Sequence, residues 1–479
     1  MPSPLTGLRA IALASALVAG CGDSMTPPPS VAETPGEPLS LTTAIPDGEL
    51  YVGLAFSGGG HRATAFALGV LQELGATGAG ANRNGLLDKV EFLAGVSGGS
   101  VAATWFALRG ADGVATLRDR YLTQEGDRYF PNPPYRPDEI QRTIEDGIDA
   151  RESFGRVLDE LLFNGATFAD LPAKGPVLRI VASDVARAAP FVFSPPTFAA
   201  LCADLPRLPL SAAVSASAAF PAVFRPVTIP AHTRPCPPPP PMRKLAGARI
   251  QPVLGMLAES RARYADPRLA NVRLWDGGMT DFYGISGFIA SRASSPTPFG
   301  PMTPEQAVRV RRILFLAVDA RPERPRLYEE MTPGGRTLAL SLYGLPQRLR
   351  DSGADGVNPL LVERAIRAAT NDGFETLRAA LAEWQGRIVD WRCSLDRETA
   401  ARLHGGRLPD DWDCRDVMLF AGLVNPADLP DTLRASVDNV PTRLRLPVEE
   451  IDMVTAAGRL AARRSPALGG LVRSLESAR

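Results

Sequence analysis

Residues Glu91 to Ser100 read EFLAGVSGGS. The apolar run Phe92 to Gly95 has the character of a short buried strand, and Val101 to Leu108 that of a helix. Between them stands Gly95-Val96-Ser97-Gly98-Gly99, a G-x-S-x-G in strand-turn-helix context. Glycines on either side of the serine relieve crowding in a strained turn that lifts the side-chain oxygen into the open. The strand fixes the direction of that side chain, and the helix N-terminus after it favours negative charge. Ser97 is therefore the candidate nucleophile.

Upstream lies a second strand and helix, Tyr51 to Phe56 (YVGLAF) and Ala63 to Leu74, joined by Ser57-Gly58-Gly59-Gly60-His61-Arg62. With no side chains in the way, backbone N–H groups here can point at an anion beside a helix N-terminus. The anion is either a phosphate or an oxyanion. Gly58-x-Gly60-x-x-Ala63 fits the loose dinucleotide pattern. That reading also wants an acidic residue ending the next strand, whereas Glu73 falls within the helix and Asp88 and Glu91 precede the strand. A tight turn with no ligand is the plain alternative.

A serine hydroxyl needs a base to take its proton. Of the three histidines, His61, His232 and His404, only the last two follow the serine as in an α/β-hydrolase. His232 sits in a proline-rich loop and His404 in a polar turn, so neither has a strand-end setting. Asp276 does: the run Asn271 to Trp275 (NVRLW) reads as a strand, and Asp276-Gly277-Gly278 follows it. A surface Asp-Gly turn is the ordinary reading of such a triplet. Since an unperturbed aspartate has a pKa of about 3.9, a base at this position requires desolvation or tight positioning of the serine.

The whole chain has 479 residues, 45% of them apolar, enough for a large core. Length alone suggests about three domains of about 150 residues each. With 44 glycines and 45 prolines the chain stays below the share that marks low complexity. Basic and acidic residues balance at 52 each, so no global field draws the protein to nucleic acid. The lysines are only Lys89, Lys174 and Lys244, an arginine bias that singles out no arginine as functional.

At the N-terminus, Arg9 precedes the apolar run Ile11 to Ala19, too short for a mature membrane span but suited to a signal-peptide core. It ends in Val18-Ala19-Gly20-Cys21, similar to a bacterial lipobox, which makes Cys21 the expected lipidation site and first mature residue. Gly22 to about Pro46 is rich in Pro, Ser, Thr and Gly, as in a flexible tether. Gly22 is not the aspartate associated with inner-membrane retention, so the expected address is the cell envelope with the outer membrane preferred. In that oxidising setting the remaining cysteines suggest two disulfides, Cys202 with Cys236 and Cys393 with Cys414. Zinc ligation is disfavoured by scattered histidines and the lack of a CxxC pair.

Taken together, Gly58-Gly59-Gly60-His61-Arg62, Gly95-Val96-Ser97-Gly98-Gly99 and Asp276-Gly277-Gly278 resemble the oxyanion segment, nucleophile turn and base motif of the patatin-like phospholipase family. Two further stretches agree, Leu178 to Phe193 as a strand pair and Ala213 to Phe224 as an Ala/Ser-rich helix leading to a proline. The resemblance implies an α/β fold, a three-layer α/β/α sandwich with a mainly parallel central sheet. It makes Ser97 the nucleophile and Asp276 the general base. Gly58, Gly59 and Gly60 form the oxyanion hole, with Arg62 supporting that loop. The implied activity is that of a serine acyl hydrolase of phospholipase A or lipid-esterase type: acyl transfer from a membrane-lipid ester to Ser97, followed by hydrolysis of the acyl-enzyme, with no cofactor and no metal.

The expected organisation is a signal peptide over 1–20, a tether over 21–47, a catalytic domain over 48–325 and a mainly helical C-terminal region over 326–479. An insertion over about 230–268, carrying the proline run Pro237 to Pro241, is a candidate lid or rim. Arg459, Arg463, Arg464 and Arg473 leave an interfacial helix open in the C-terminal region. Two other readings use the same residues: an acyltransferase, and an anchored lipid-binding envelope protein whose dyad is vestigial.

Overall fold

A computed structural model describes residues 39, 41–124, 150–220, 224–236, 241–321, 359–440, 442 and 445–477, with only the backbone of Glu152 and of 359–371. The expected signal peptide, Cys21 and residues 22–38 and 40 of the expected tether lie outside the described residues. The expected tether ends before residue 47. Leu41 and Ile45 are buried, and the Thr42 amide donates to the Glu476 carboxylate at 2.6 Å, because two apolar side chains here find a core to join.

The elements that position the site are β1 (Leu50–Phe56), α1 (Gly60–Ala76), β2 (Val90–Val96), α2 (Gly98–Leu117), β3 (Val177–Asp184), β4 (Ala189–Phe193) and α3 (Pro195–Ala200). They continue with α4 (Leu210–Ser217), β5 (Val227–Pro230), α5 (Gln251–Tyr264), β6 (Asn271–Asp276), α6 (Ile285–Ser294) and β7 (Arg312–Val318). After these come α7 (Pro359–Ser394), β8 (Met418–Val424), α8 (Val448–Arg464) and α9 (Pro466–Glu476).

Among the described residues eight strands form one sheet in the order β5-β6-β3-β2-β1-β7-β8, with β4 paired to β3. The run β3-β2-β1-β7-β8 is parallel; β4, β5 and β6 pair antiparallel. β1 is buried along its whole length, which is why it reads as a continuous apolar run. Its side chains alternate between two cores: Val52, Leu54 and Phe56 pack in one, Tyr51 and Ala55 in the other. The first core is filled by α1, α2 and α8, the second by α6 and α7, giving three layers.

This one sheet takes strands from Leu50 to Val424, in place of the division into separate domains that length suggests. The boundary at residue 325 is not a break in packing. The C-terminal region, expected to be mainly helical, supplies β8, which pairs with β7 in register Arg312 to Met418 through Val318 to Val424. Helix α8 lies directly on α1. A Cβ at Gly69 would overlap the Thr455 carbonyl oxygen and one at Gly458 that of Phe66, so the two backbones touch where glycines remove the side chains.

The 230–268 segment holds α5, which packs on β4, α3 and α6. Tyr264 at its end donates to the Asp184 carboxylate at 2.9 Å. Residues 237–240 of the proline run lie outside the described residues.

Candidate active site

Two neighbouring residues of β3 bring the candidate nucleophile and the candidate base together. β2 ends with Val96 opposite Val181, and Ser97 follows. β4 occupies the other edge of β3, so β6 runs along the same edge as β2 and ends with Asp276 opposite Ala182. Two strands thus meet end to end on β3 with Ser97 and Asp276 at the junction.

Ser97 has φ 50° and ψ −124°, a conformation that costs an L-residue strain and is tolerated where the surroundings over-determine it. The surroundings are visible. The Ser97 amide donates to Ser217 Oγ at 2.8 Å, and Ser217 Oγ donates to the Val181 carbonyl at 2.6 Å. Ser100 Oγ donates to the Ser97 carbonyl at 2.5 Å. Gly98 fits because its Cα faces the Gly60 carbonyl, where any Cβ would overlap the oxygen. Gly98, the residue directly after the serine, therefore seats the turn against the glycine loop.

The Ser97 side chain lies close enough to the Asp276 carboxylate to pull its pKa down. Asp276 Oδ1 accepts from the Gly278 amide at 2.8 Å, and its own amide donates to the Ala219 carbonyl at 2.9 Å. Burial pushes the Asp276 carboxyl up to about 6, against the opposing pull of Ser97 and of the Gly278 amide. The group is thereby a stronger base than an ordinary aspartate and still ionised at neutral pH.

Gly58 lies against the nucleophile: a Cβ there would stand 3.4 Å from Ser97 Cβ. Its amide makes a long 3.4 Å bond to the Phe282 carbonyl. Gly59, at φ 138°, has an amide without an acceptor among the described residues, and Gly60 opens α1. Ser57 holds the loop from behind, its amide on the Val318 carbonyl at 2.9 Å and its hydroxyl taking the Ala320 amide at 3.2 Å. Arg62 is buried and its guanidinium donates to the Val440 carbonyl at 2.7 Å and to Thr442 Oγ1 at 3.1 Å. Its link is to the C-terminal segment, so it braces the start of α1 from below.

The three histidines go elsewhere. His61 is buried beside Tyr121, ring centroids 4.7 Å apart, and burial lowers it to about 4, so it is neutral at pH 7. His232 Nδ1 is 3.3 Å from Cys236 Sγ. His404 ends a short helix, its carbonyl taking a bond from Arg309. Disulfides join Cys202 to Cys236 and Cys393 to Cys414. Ser217 is the residue that sequence reading passes over; its only signal is its place in the Ala/Ser-rich stretch.

Residues 54–289 match the family model of the patatin-like phospholipases. That segment is a patatin-like phospholipase domain. Solved structures similar to the whole chain include human GIVD cytosolic phospholipase A2, at 13% identity and a TM-score of 0.36, covering 90% of this chain and 60% of that one. The same enzyme in complex with methyl gamma-linolenyl fluorophosphonate and terbium chloride gives 12% identity and a TM-score of 0.36, with the same coverage. VipD from Legionella pneumophila gives 11% identity and a TM-score of 0.27, over 88% of this chain and 92% of its own. The chain thus spans about 60% of the length of the cytosolic phospholipase chains it matches. No curated protein sequence matches it. The glycine loop, Ser97, Ser217 and Asp276 all lie inside the patatin domain, whereas Val440 and Thr442, which hold Arg62, lie outside it.

Proposed function

We propose that this protein is a serine acyl hydrolase of phospholipase A type, cleaving fatty-acyl esters of membrane lipids through a Ser97–Asp276 dyad. The observation that carries the reading is the meeting of Ser97 and Asp276 where β2 and β6 end on neighbouring residues of β3, with the carboxyl buried and its pKa pushed up to about 6. Asp276 takes the serine proton as Ser97 Oγ attacks the ester carbonyl, and the Gly58, Gly59 and Gly60 amides receive the oxyanion. Such donors are each worth about 3–4 kcal/mol in related transition states. Asp276 then hands its proton to the leaving lysolipid oxygen. The acyl-enzyme is hydrolysed by a water that Asp276 deprotonates in turn, and the fatty acid leaves as Ser97 recovers its proton.

We also propose that Cys21 carries a lipid and that residues 22 to about 40 tether the folded body to the cell envelope, which brings the site to its substrate. No helix among the described residues is long and apolar enough to cross a membrane.

The test is mass spectrometry of the products after the full chain is incubated with mixed phospholipids, beside its Ser97→Ala variant. Free fatty acid and lysolipid from the unaltered chain alone support the reading. Acyl products that form only when an acceptor alcohol or lysolipid is added replace hydrolysis by acyl transfer. A folded chain that yields no product under either condition overturns both.

A further inference from the structure

A second cluster of reactive side chains sits outside the Ser97 site. Cys202, which follows α3, His232, which follows β5, and Cys236 place their ligand atoms within 4.8 Å of one another. Cys202 and Cys236 are disulfide-bonded, with His232 Nδ1 3.3 Å from Cys236 Sγ. Disulfide sulfurs donate no proton and accept weakly, so the ring has little to bond there. Its other nitrogen, Nε2, is buried with no hydrogen-bond partner among the described residues. A half-buried imidazole with one nitrogen shut off from solvent and both so poorly used calls for an explanation.

The backbone ties Cys202 to the segment that carries His232 independently of the sulfur–sulfur bond. The His232 amide donates to the Leu201 carbonyl at 2.7 Å, and the Arg234 amide to the Cys202 carbonyl at 3.1 Å. The Ala231 amide is tied to Ala270 at 3.0 Å. Cys202 and His232 both sit at positive φ, 51° and 54°, a conformation that non-glycine residues keep when their surroundings impose it. Breaking the disulfide therefore leaves the Cys202 thiol and the imidazole side by side, with the Cys236 thiol four residues along the chain from His232. Zinc bonds of about 2.3 Å to sulfur and about 2.0–2.1 Å to nitrogen in a tetrahedron put ligand atoms about 3.5–3.8 Å apart. The spacing here is within reach of that by side-chain rotation alone. Two thiolates and an imidazole select a thiophilic ion such as zinc over magnesium or calcium.

We propose that Cys202, His232 and Cys236 form a zinc site that opens only when their disulfide is reduced. A two-electron reductant of the dithiol or phosphine class breaks the S–S bond, and two protons complete the thiols as the reductant is oxidised. The divalent ion then binds both sulfurs as thiolates, the two thiol protons pass to solvent, and His232 donates its nitrogen lone pair. Water takes the fourth position. Cys236 is exposed, which gives the reductant access.

The experiment uses the full chain freed of metal, oxidised or treated with a phosphine that carries no thiol to compete for the ion. Native mass spectrometry counts bound zinc, and cobalt(II) serves as a spectroscopic probe for thiolate-to-metal charge transfer. Zinc protection from alkylation, read by peptide mass, shows which cysteines hold the ion. The expected result is one zinc in the reduced chain that the oxidised chain lacks, a thiolate charge-transfer band, and protection of Cys202 and Cys236. His232→Ala should weaken binding by more than the roughly tenfold that loss of an outer-shell partner costs. Equal binding by the oxidised chain, no binding by the reduced chain, protection of Cys393 and Cys414 instead, or unchanged affinity in His232→Ala each overturns the proposal. The protection pattern needs no substitution, so it decides the matter even if His232→Ala does not fold.

Discussion

Glu73 of α1 and Arg463 of α8 meet in a two-pronged ion pair, Nε to Oε1 at 2.8 Å and Nη2 to Oε2 at 2.6 Å, with the Glu73 side chain shut off from solvent. Removing the arginine would strand a carboxylate in the interior. Arg463→Met should cost about 3–5 kcal/mol, read as a lower midpoint in chemical denaturation. A change below about 1 kcal/mol, the range of exposed pairs, would mean that water or Arg459 already serves Glu73.

The dyad makes a sharper demand. Ser97→Ala and Asp276→Asn should each lower ester hydrolysis by at least about 10³-fold while leaving circular dichroism unchanged, since the serine proton then has no acceptor or the acyl group no nucleophile. Appreciable turnover by folded Asp276→Asn would return His232 and His404 to consideration as the base.

Acid should switch activity off through the same carboxyl. With Asp276 at about 6, the base is ionised above that pH and protonated below it. The rate is expected to rise to a plateau with an inflection near pH 6, measured as kcat/KM on a neutral ester. An inflection near pH 4, the range of an ordinary aspartate, would show that burial does not perturb the group.

Stability should run the opposite way. The folded pKa of about 6 stands above the ordinary value of 3.8, so between the two the native state holds more protons than the unfolded chain. Wild-type stability therefore gains a favourable contribution at pH 4 that fades by about pH 6, a difference of about 3 kcal/mol at 1.36 kcal/mol per pKa unit. Asp276→Asn, which cannot ionise, should gain by about that amount relative to wild type on going from pH 4 to pH 7. Parallel denaturation curves for the two proteins across that range would count against a charged, buried Asp276.

Ser217 offers a test of positioning. Ser217→Ala leaves the buried Ser97 amide without its acceptor, at a cost of about 1–3 kcal/mol. Loss of that tie should lower kcat by roughly tenfold, the rate equivalent of about 1.4 kcal/mol, with KM little changed. A rise in KM alone would assign Ser217 to substrate binding.

Much of the site is legible in the chain because its signals are local. β1 is an unbroken apolar run and β2 is one from Phe92 onward, the glycines after them permit the close approaches that the turns require, and Asp276 ends a recognisable strand. What stays hidden depends on distant partners. The seven residues of β8 form an apolar run too short to tell strand from buried helix without β7 beside it. Helix α5 is weakly patterned and gains its place by packing on β4. Nothing around Arg62 announces that its carbonyl acceptor lies 378 residues away.

That separation also sets an order of events. At about 5–20 residues per second of synthesis, Val440 follows Arg62 out of the ribosome by about 20–75 s, since 378 residues lie between them. For all of that interval the glycine loop beside Ser97 stands without the contact that pins the start of α1. The brace on that loop therefore arrives late in the life of the nascent chain, after Ser97 and Asp276 have both been made.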